Sequence, residues 1–142
     1  MLSQTAEYAL RAVLFIAAQP GNTPTKADAI SEGVGVPLSY LSKTLQVLVK
    51  DGVLWSSRGR GGGFQLAVPP RSLPLERIIA LFDRHPATRH CVLGRSRCGD
   101  AHPCAAHHAW KPHSDRIAEF FARTTIADLH SPLEALAPLP PI

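Results

Sequence analysis

Three cysteines in the second half of the chain are the residues best suited to carry chemistry. Cys91, Cys98 and Cys104 are separated by six and five residues, and His107 follows Cys104 after two more. Three thiolates and one imidazole form a donor set that holds zinc or an iron–sulfur cluster. The spacing alone does not separate zinc from a cluster, and three metal-free structural or redox thiols are the remaining interpretation.

These donors are confined to one part of the chain. All three cysteines and all seven histidines lie between residues 85 and 130, and residues 1–84 contain neither type. Residues 85–107 show no apolar periodicity, so we expect a loop that wraps around an inorganic centre. An odd number of cysteines leaves one unpaired in any intramolecular disulfide scheme.

Length and composition favour a small folded protein. The 142 residues are 45% hydrophobic and 18% charged, which predicts a packed core. No apolar run reaches membrane-spanning length and no basic signal-peptide region is present, so we expect a cytoplasmic protein that does not bind a membrane. A net charge of +4 is compatible with a polyanionic partner. No catalytic motif is present, and we expect that the chain is not an enzyme.

The first half of the chain has the pattern of a helix–turn–helix followed by a hairpin. Apolar periodicity and runs of strand-forming residues predict helices at 3–19, from about 25, and at 38–50, and strands at 53–57 and 64–68. Ser3 is the expected cap of the first helix. Thr25 and Asp28 have the spacing of a capping box at the start of the second.

Together these elements are the outline of a winged helix, which predicts DNA binding. The second helix of such a pair places its N-terminal side chains in the DNA major groove, and an arginine-tipped hairpin suits the minor groove. Glycines at the tip let the backbone approach phosphates closely. The candidate DNA contacts are Ser39, Tyr40, Ser42 and Lys43 in the helix, and Arg58, Arg60 and Gly61 in the hairpin.

The rest of the chain predicts an assembly element. Helical patterns recur at 75–84 and 109–129, and the second contains Ile117, Phe120 and Phe121. An amphipathic helix placed after the wing needs an apolar surface to cover, which a two-fold dimer supplies. The predicted divisions are a winged helix–turn–helix domain at 1–70, a connecting helix at 71–84, a Cys/His loop at 85–107, a dimerisation helix at 108–130 and a flexible tail at 131–142. The predicted fold class is mainly α with a small β-hairpin wing and a long C-terminal helix.

As a set, these motifs resemble the Rrf2 family of winged-helix transcription regulators. The resemblance is carried by Glu7–Ala12, Val36–Leu41, the hairpin Ser57–Ala67, the three cysteines and Thr124–Leu129. It covers about residues 1–130, nearly the whole chain.

The resemblance implies a homodimer that binds a pseudo-palindromic operator in double-stranded DNA, with an iron–sulfur cluster controlling its DNA affinity. One type of family member holds a 2Fe–2S cluster through three cysteines and a histidine, and His107 matches that histidine. Another type holds a nitric-oxide-sensitive 4Fe–4S cluster with a carboxylate from the partner's first helix, and Glu7 occupies that position. The implied ligands are therefore Cys91, Cys98 and Cys104, with His107 or Glu7 as the fourth.

Two hypotheses for the function follow. The first is a DNA-binding transcriptional regulator, acting as a repressor, whose iron–sulfur cluster senses redox state, iron supply or nitric oxide. The alternative is a cluster-free member of the same family, in which cysteine thiols, a small ligand or a protein partner carries the signal.

Overall fold

The computed structural model describes residues 2–83, 91–94 and 99–129, which contain five α-helices and one two-stranded antiparallel sheet. The elements are α1 (Gln4–Ala17), α2 (Ala27–Val34), α3 (Leu38–Lys50), β1 (Leu54–Ser57), β2 (Gly63–Leu66), α4 (Leu75–Ile79) and α5 (His107–Arg123). The predicted fold class, mainly α with a hairpin wing, is confirmed. None of the described helices is long and apolar enough to cross a membrane.

The core is built around α1. Its fully buried residues are Ala6, Ala9, Ala12, Val13 and Ile16. Because three of these side chains are only methyl groups, other elements can approach α1 closely, and it contacts α2, α3, α4 and β2. The helix begins where the sequence predicts, since the Ser3 hydroxyl accepts the Ala6 amide at 3.2 Å.

α3 joins this core through one apolar face. Leu41, Leu45 and Leu48 are fully buried, as their helical spacing predicts. The turn between α2 and α3 is tight because Gly35 adopts a left-handed conformation with φ of 66°, which ends α2. The opposite face of α3 is exposed.

The start of α2 differs from the sequence prediction. The capping box of Thr25 and Asp28 is wrong, because α2 begins at Ala27 and its N-cap, Lys26, makes no side-chain cap hydrogen bond. The Thr25 backbone instead pairs with Phe64 of β2: its amide donates to the Phe64 carbonyl at 2.9 Å, and its carbonyl accepts the Phe64 amide at 2.8 Å. Pairing of Thr25 with β2, which is distant in the sequence, therefore replaces the predicted side-chain cap of α2.

A second contact also holds the hairpin, hereafter the wing, to the helical core. Asn22 follows α1 in a short 3-10 turn and lies beside Leu66 of β2. Its side-chain amide donates to the Leu66 carbonyl and its side-chain oxygen accepts the Leu66 amide, both at 2.9 Å. Asn22 thus binds the strand as a backbone peptide would, and together with the Thr25–Phe64 pair it fixes the base of the wing.

The C-terminal helix is shorter than the sequence predicts. Helical periodicity continues over 109–129, and the predicted dimerisation segment was 108–130, but α5 ends at Arg123. Thr124 is extended, and its carbonyl accepts the Leu75 amide at 2.9 Å. Pairing with the first residue of α4 therefore ends the helix.

Hydrogen bonds to Asp128 stabilise the turn that follows α5. Its carboxylate accepts both the amide and the hydroxyl of Thr125 at 2.8 Å. These hydrogen bonds lower the pKa of Asp128. A lowered carboxyl pKa means that the contact stabilises the fold when the group is ionised, and that this contribution is lost as the pH falls through the folded-state pKa.

The segments around the cysteines are only partly described. α4 ends at Ile79 and turns continue to Phe82, so the regular helix is shorter than the predicted 75–84. The described parts of the predicted loop at 85–107 contain turns and no helix or strand before α5. The predicted tail at 131–142 lies outside the described residues.

Gly63→Ala is expected to loosen the wing. Gly63 has φ of 150°, and a Cβ there would lie 2.6 Å from the carbonyl carbon and oxygen of Thr25, so the pairing of Thr25 with Phe64 would have to open. Losing these backbone hydrogen bonds is expected to lower the free energy of unfolding by about 2 kcal/mol, measured by chemical denaturation. Gly61→Ala is the matched control, because nothing lies within 4 Å of a Cβ at Gly61. Equal stabilities of the two variants would contradict this account of the wing.

Candidate functional site

The first turns of α3 expose most of the predicted DNA contacts. Ser39, Tyr40 and Lys43 are exposed, and Tyr40 retains 65% of its accessible surface. Ser42 is half-buried and donates its hydroxyl to the Leu38 carbonyl at 2.8 Å, so its hydrogen is used within the helix and only its oxygen lone pairs face outward. The helix thus offers hydroxyl groups and one ammonium group to a partner.

The tip of the wing exposes the other predicted contacts. Arg58, Arg60 and Gly61 all lie in the exposed turn between β1 and β2. The turn is closed by the Gly62 amide, which donates to the Gly59 carbonyl at 3.1 Å. Neither guanidinium forms a salt bridge with any residue that the structure describes. Both charges are therefore available to a polyanion.

A surface cavity of about 210 Å³ is lined by α3, α1 and the end of α4. Its lining includes Tyr40 and Lys43 of α3, Tyr8 of α1 and Phe82 after α4. Two predicted DNA contacts therefore share a cavity with the segment that leads into the cysteines. No motif in the sequence signals this arrangement, because it joins residues far apart in the chain.

The end of α4 is also tied to the start of α1. The Asp83 carboxylate accepts the backbone amide of Ser3 at 3.2 Å, across 80 positions of sequence. Ser3 is the N-cap of α1, so the chain entering the cysteine segment is attached to the central helix. No spacing in the sequence signals this contact.

Two of the predicted thiol ligands lie side by side. The Sγ atoms of Cys91 and Cys104 are 3.4 Å apart although 13 positions separate the residues. Cys91 is buried and Cys104 is half-buried. Two thiolates bound to one tetrahedral zinc ion lie about 3.8 Å apart, given Zn–S bonds of about 2.3 Å. Cys98 lies outside the described residues, so its place beside them stays a prediction.

His107 is the first residue of α5 and only 4% exposed. Its Nε2 lies 2.9 Å from the Asp100 carboxylate, and its backbone amide donates to the Cys104 carbonyl at 3.0 Å. The spacing to Cys104 predicts His107 as a ligand, but Asp100 has no sequence signal, since a carboxylate seven positions from a histidine in a loop has no diagnostic spacing.

The described side chains include some of the donors that an iron–sulfur cluster or a zinc ion requires. Two sulfurs and a buried imidazole are the donor types that iron–sulfur clusters and zinc accept. Within residues 2–83, 91–94 and 99–129, no three His, Cys, Asp or Glu side chains converge on one cation position. Glu7 is exposed in the first turn of α1 and belongs to no such group. A complete four-donor site would therefore need Cys98 beside Cys91 and Cys104, with His107 or Glu7 as the fourth donor.

Sequence comparison places the chain among transcriptional regulators. Residues 2–132 match the model of the Rrf2 family, described as an iron-dependent transcriptional regulator. The chain is 32% identical over 135 residues to the HTH-type transcriptional regulator IscR of Vibrio parahaemolyticus, a match that covers 95% of this chain and 80% of that protein.

Solved structures share the fold. CymR, the global cysteine regulator of B. subtilis, is similar with a TM-score of 0.76 at 23% identity, over 92% of this chain and 95% of CymR. IscR of T. potens is similar with a TM-score of 0.70 at 26% identity, over 91% of this chain and 85% of that one. Since the family match spans nearly the whole chain and a relative above 30% identity covers most of both sequences, the chain belongs to the Rrf2 family of DNA-binding transcriptional regulators, as its motifs predicted.

Proposed function

We propose that this regulator is a repressor whose affinity for DNA is switched by an iron–sulfur cluster bound after α4. The observation that carries the proposal is the 3.4 Å separation of the Cys91 and Cys104 sulfurs. Cys98 is the proposed third ligand, and His107 or Glu7 the fourth. Such a cluster is redox-active and labile, so it can report redox state, iron supply or nitric oxide. The likeness to IscR and the description of the family as iron-dependent support the same proposal.

In this proposal, α3 and the wing bind double-stranded DNA. An α-helix fits the major groove, and cationic groups on a glycine-rich tip neutralise phosphates or enter the minor groove. The proposed contacts are Ser39, Tyr40, Ser42, Lys43, Arg58, Arg60 and Gly61. All are exposed except Ser42, which is half-buried.

The proposed assembly is a homodimer formed through α5. Phe121 is buried in the chain's own core, whereas Phe120 is 50% exposed and Ile117 is half-buried on the same helix. A second copy related by a two-fold axis would cover these apolar side chains. The same axis would relate two α3 helices, which predicts a pseudo-palindromic operator.

The proposed coupling between the cysteines and α3 runs through the end of α4. Phe82 lines the same cavity as Tyr40 and Lys43, and Asp83 binds the Ser3 amide. When the cysteines close around a ligand, the chain that leaves Asp83 is held in one position, and these contacts then favour one orientation of α3. The switch is a shift between two populations of different DNA affinity, without any new contact between the cysteine segment and DNA.

A cluster-free switch is the second candidate. The proximity of the Cys91 and Cys104 sulfurs favours it too, because reactive thiols that lie close together suit reversible oxidation. The chain also shares its fold with CymR, the global cysteine regulator. In this version the cysteine thiols, a small ligand or a protein partner carries the signal.

Arg58→Ala and Arg60→Ala are each expected to weaken DNA binding. Each removes a cation that neutralises a phosphate, so each is expected to lower the slope of log K against log [salt] by about one. The measurement is fluorescence anisotropy of labelled operator DNA at several salt concentrations. Arg71→Ala is the control, because Arg71 is exposed but lies outside α3 and the wing. Wing variants with the affinity and slope of the unmodified protein would argue against the wing contact.

Phe120→Glu is expected to convert the dimer into a monomer. A carboxylate in the proposed apolar interface would be desolvated without a partner. Light scattering after size-exclusion chromatography measures the mass, and circular dichroism checks that the helices remain. Ala122→Glu is the matched control, because Ala122 is exposed on the same helix and makes no part of the apolar face. A Phe120→Glu protein that stays dimeric would exclude this interface.

Anaerobically purified protein is expected to be brown. It should contain iron and acid-labile sulfide and absorb at about 400–450 nm. Cys91→Ser and Cys104→Ser should each abolish the absorbance, whereas His108→Ala, a change of the exposed neighbour of His107, should not. Removing iron with a chelator is expected to change operator affinity about tenfold.

Two results would contradict the cluster proposal. Colourless protein with stoichiometric zinc would indicate a structural metal site. Metal-free protein whose operator affinity responds reversibly to peroxide would instead support the thiol switch.

A further inference from the structure

We infer that Asp100 is a positioning residue for the cluster site, and that it directs His107 to bind the cluster through Nδ1. The inference rests on the proposed function and deepens it by naming the fourth ligand and its coordinating atom. The contact that carries it is the 2.9 Å approach of His107 Nε2 to Asp100 Oδ1. The hydrogen-bonding chemistry of the carboxylate and the imidazole determines which ring nitrogen can bind the cluster.

An ionised carboxylate can only accept hydrogen bonds, so Nε2 of His107 must carry the hydrogen in this contact. In a neutral imidazole, the other ring nitrogen then holds the lone pair. Nδ1 is therefore the atom through which His107 can act as a ligand. Binding through Nε2 would first require the contact with Asp100 to break.

Histidine ligands in metal sites usually donate their second ring N–H to a carboxylate, which fixes the tautomer and ring orientation and makes the ligand more basic. The Asp100–His107 contact has this arrangement. The backbone reinforces it, because the His107 amide donates to the carbonyl of Cys104, a proposed cluster ligand, at 3.0 Å. The start of α5 is thus held next to one thiol while its imidazole is oriented by a carboxylate.

Solvent exposure separates the role of Asp100 from packing. Its side chain is 79% exposed, whereas that of His107 is 4% exposed. Replacing Asp100 therefore leaves the core unchanged and removes the carboxylate that contacts the imidazole. The chain also offers a matched control in Asp115, which lines the same cavity as Asp100 and His107 but pairs with Lys111 at 2.6 Å.

The test compares the anaerobically loaded full-length protein with Asp100→Ala, Asp100→Asn and Asp115→Ala. Loss of visible absorbance to an iron chelator is expected to be about tenfold faster in Asp100→Ala, and unchanged in Asp115→Ala. Asp100→Asn keeps an acceptor without the charge, so it should retain the cluster better than Asp100→Ala. Loss of the negative charge beside His107 in Asp100→Asn should also raise the reduction potential of the cluster. Circular dichroism and operator binding of the metal-free proteins check that all variants fold.

Pulsed electron paramagnetic resonance of the reduced cluster identifies the coordinating atom. Protein made with histidine labelled with ¹⁵N at Nδ1 alone is expected to show a strongly coupled ¹⁵N nucleus. Protein labelled at Nε2 alone is expected to show only the weak coupling of the remote ring nitrogen. His107→Ala should remove both signals.

The outcomes separate this inference from the function on which it rests. Unmodified protein without iron would overturn both. A cluster in the unmodified protein together with unchanged chelator resistance in Asp100→Ala would overturn this inference alone. Strong coupling from Nε2, or no coupled histidine nitrogen at all, would also overturn it, and the latter would direct attention to Glu7.

Discussion

The arrangement of this regulator depends on how closely its other elements pack against α1. Ala6, Ala9 and Ala12 present only methyl groups to the core, so neighbouring elements approach α1 at short distance. Larger side chains here would force those elements apart. Because α3, β2 and α4 all contact α1, both elements of the proposed DNA interface and the chain that enters the cysteine segment pack against one helix. A dimer can read two half-sites only if each recognition helix is held in a fixed position within its own subunit.

The wing combines a fixed base with an open tip. Asn22 and Thr25 each exchange a pair of hydrogen bonds with β2 from outside the hairpin, which prevents the two short strands from swinging as a unit. An isolated two-stranded hairpin is only marginally stable in water, so this support is needed for the wing to hold a direction. The tip, with Arg58 and Arg60, is exposed and rich in glycine. In the proposed complex, this exposed tip would meet the DNA backbone while the base of the wing stays in place.

The cysteine segment is held together by different interactions from those of the apolar core. The described residues around its thiols form turns, and polar or sulfur contacts bring its distant parts together: Cys91 with Cys104, and Asp100 with His107. In the proposed cluster-bound state, ligand binding and the local folding of this segment would be linked. The cluster and thiol hypotheses differ in what closes the segment. In both hypotheses, closing the cysteine segment would constrain the end of α4 and the start of α5.

The sequence by itself determined the elements whose signals are local. The Ser3 cap, the inward leucines Leu41, Leu45 and Leu48, and the arginine-bearing hairpin follow from residue type and short-range periodicity, and all are present in the fold. The family also followed from these motifs, because they recur at set positions along the chain. The sequence also supplied the candidate thiol and imidazole donors, and their role as ligands stays a prediction.

Tertiary structure determined the local conformation wherever a backbone group or a side chain pairs with a residue distant in the sequence. Thr25 does not cap α2, because its amide and carbonyl pair with β2. α5 ends before the predicted residue, because the Thr124 carbonyl accepts the Leu75 amide. Propensity is a weak preference that such pairing overrides. The proximity of Cys91 to Cys104 and the carboxylate on His107 were likewise settled by the folded chain. Spacing within an aperiodic loop carries no information about which of its residues meet, since that depends on how the helices at both ends anchor the loop.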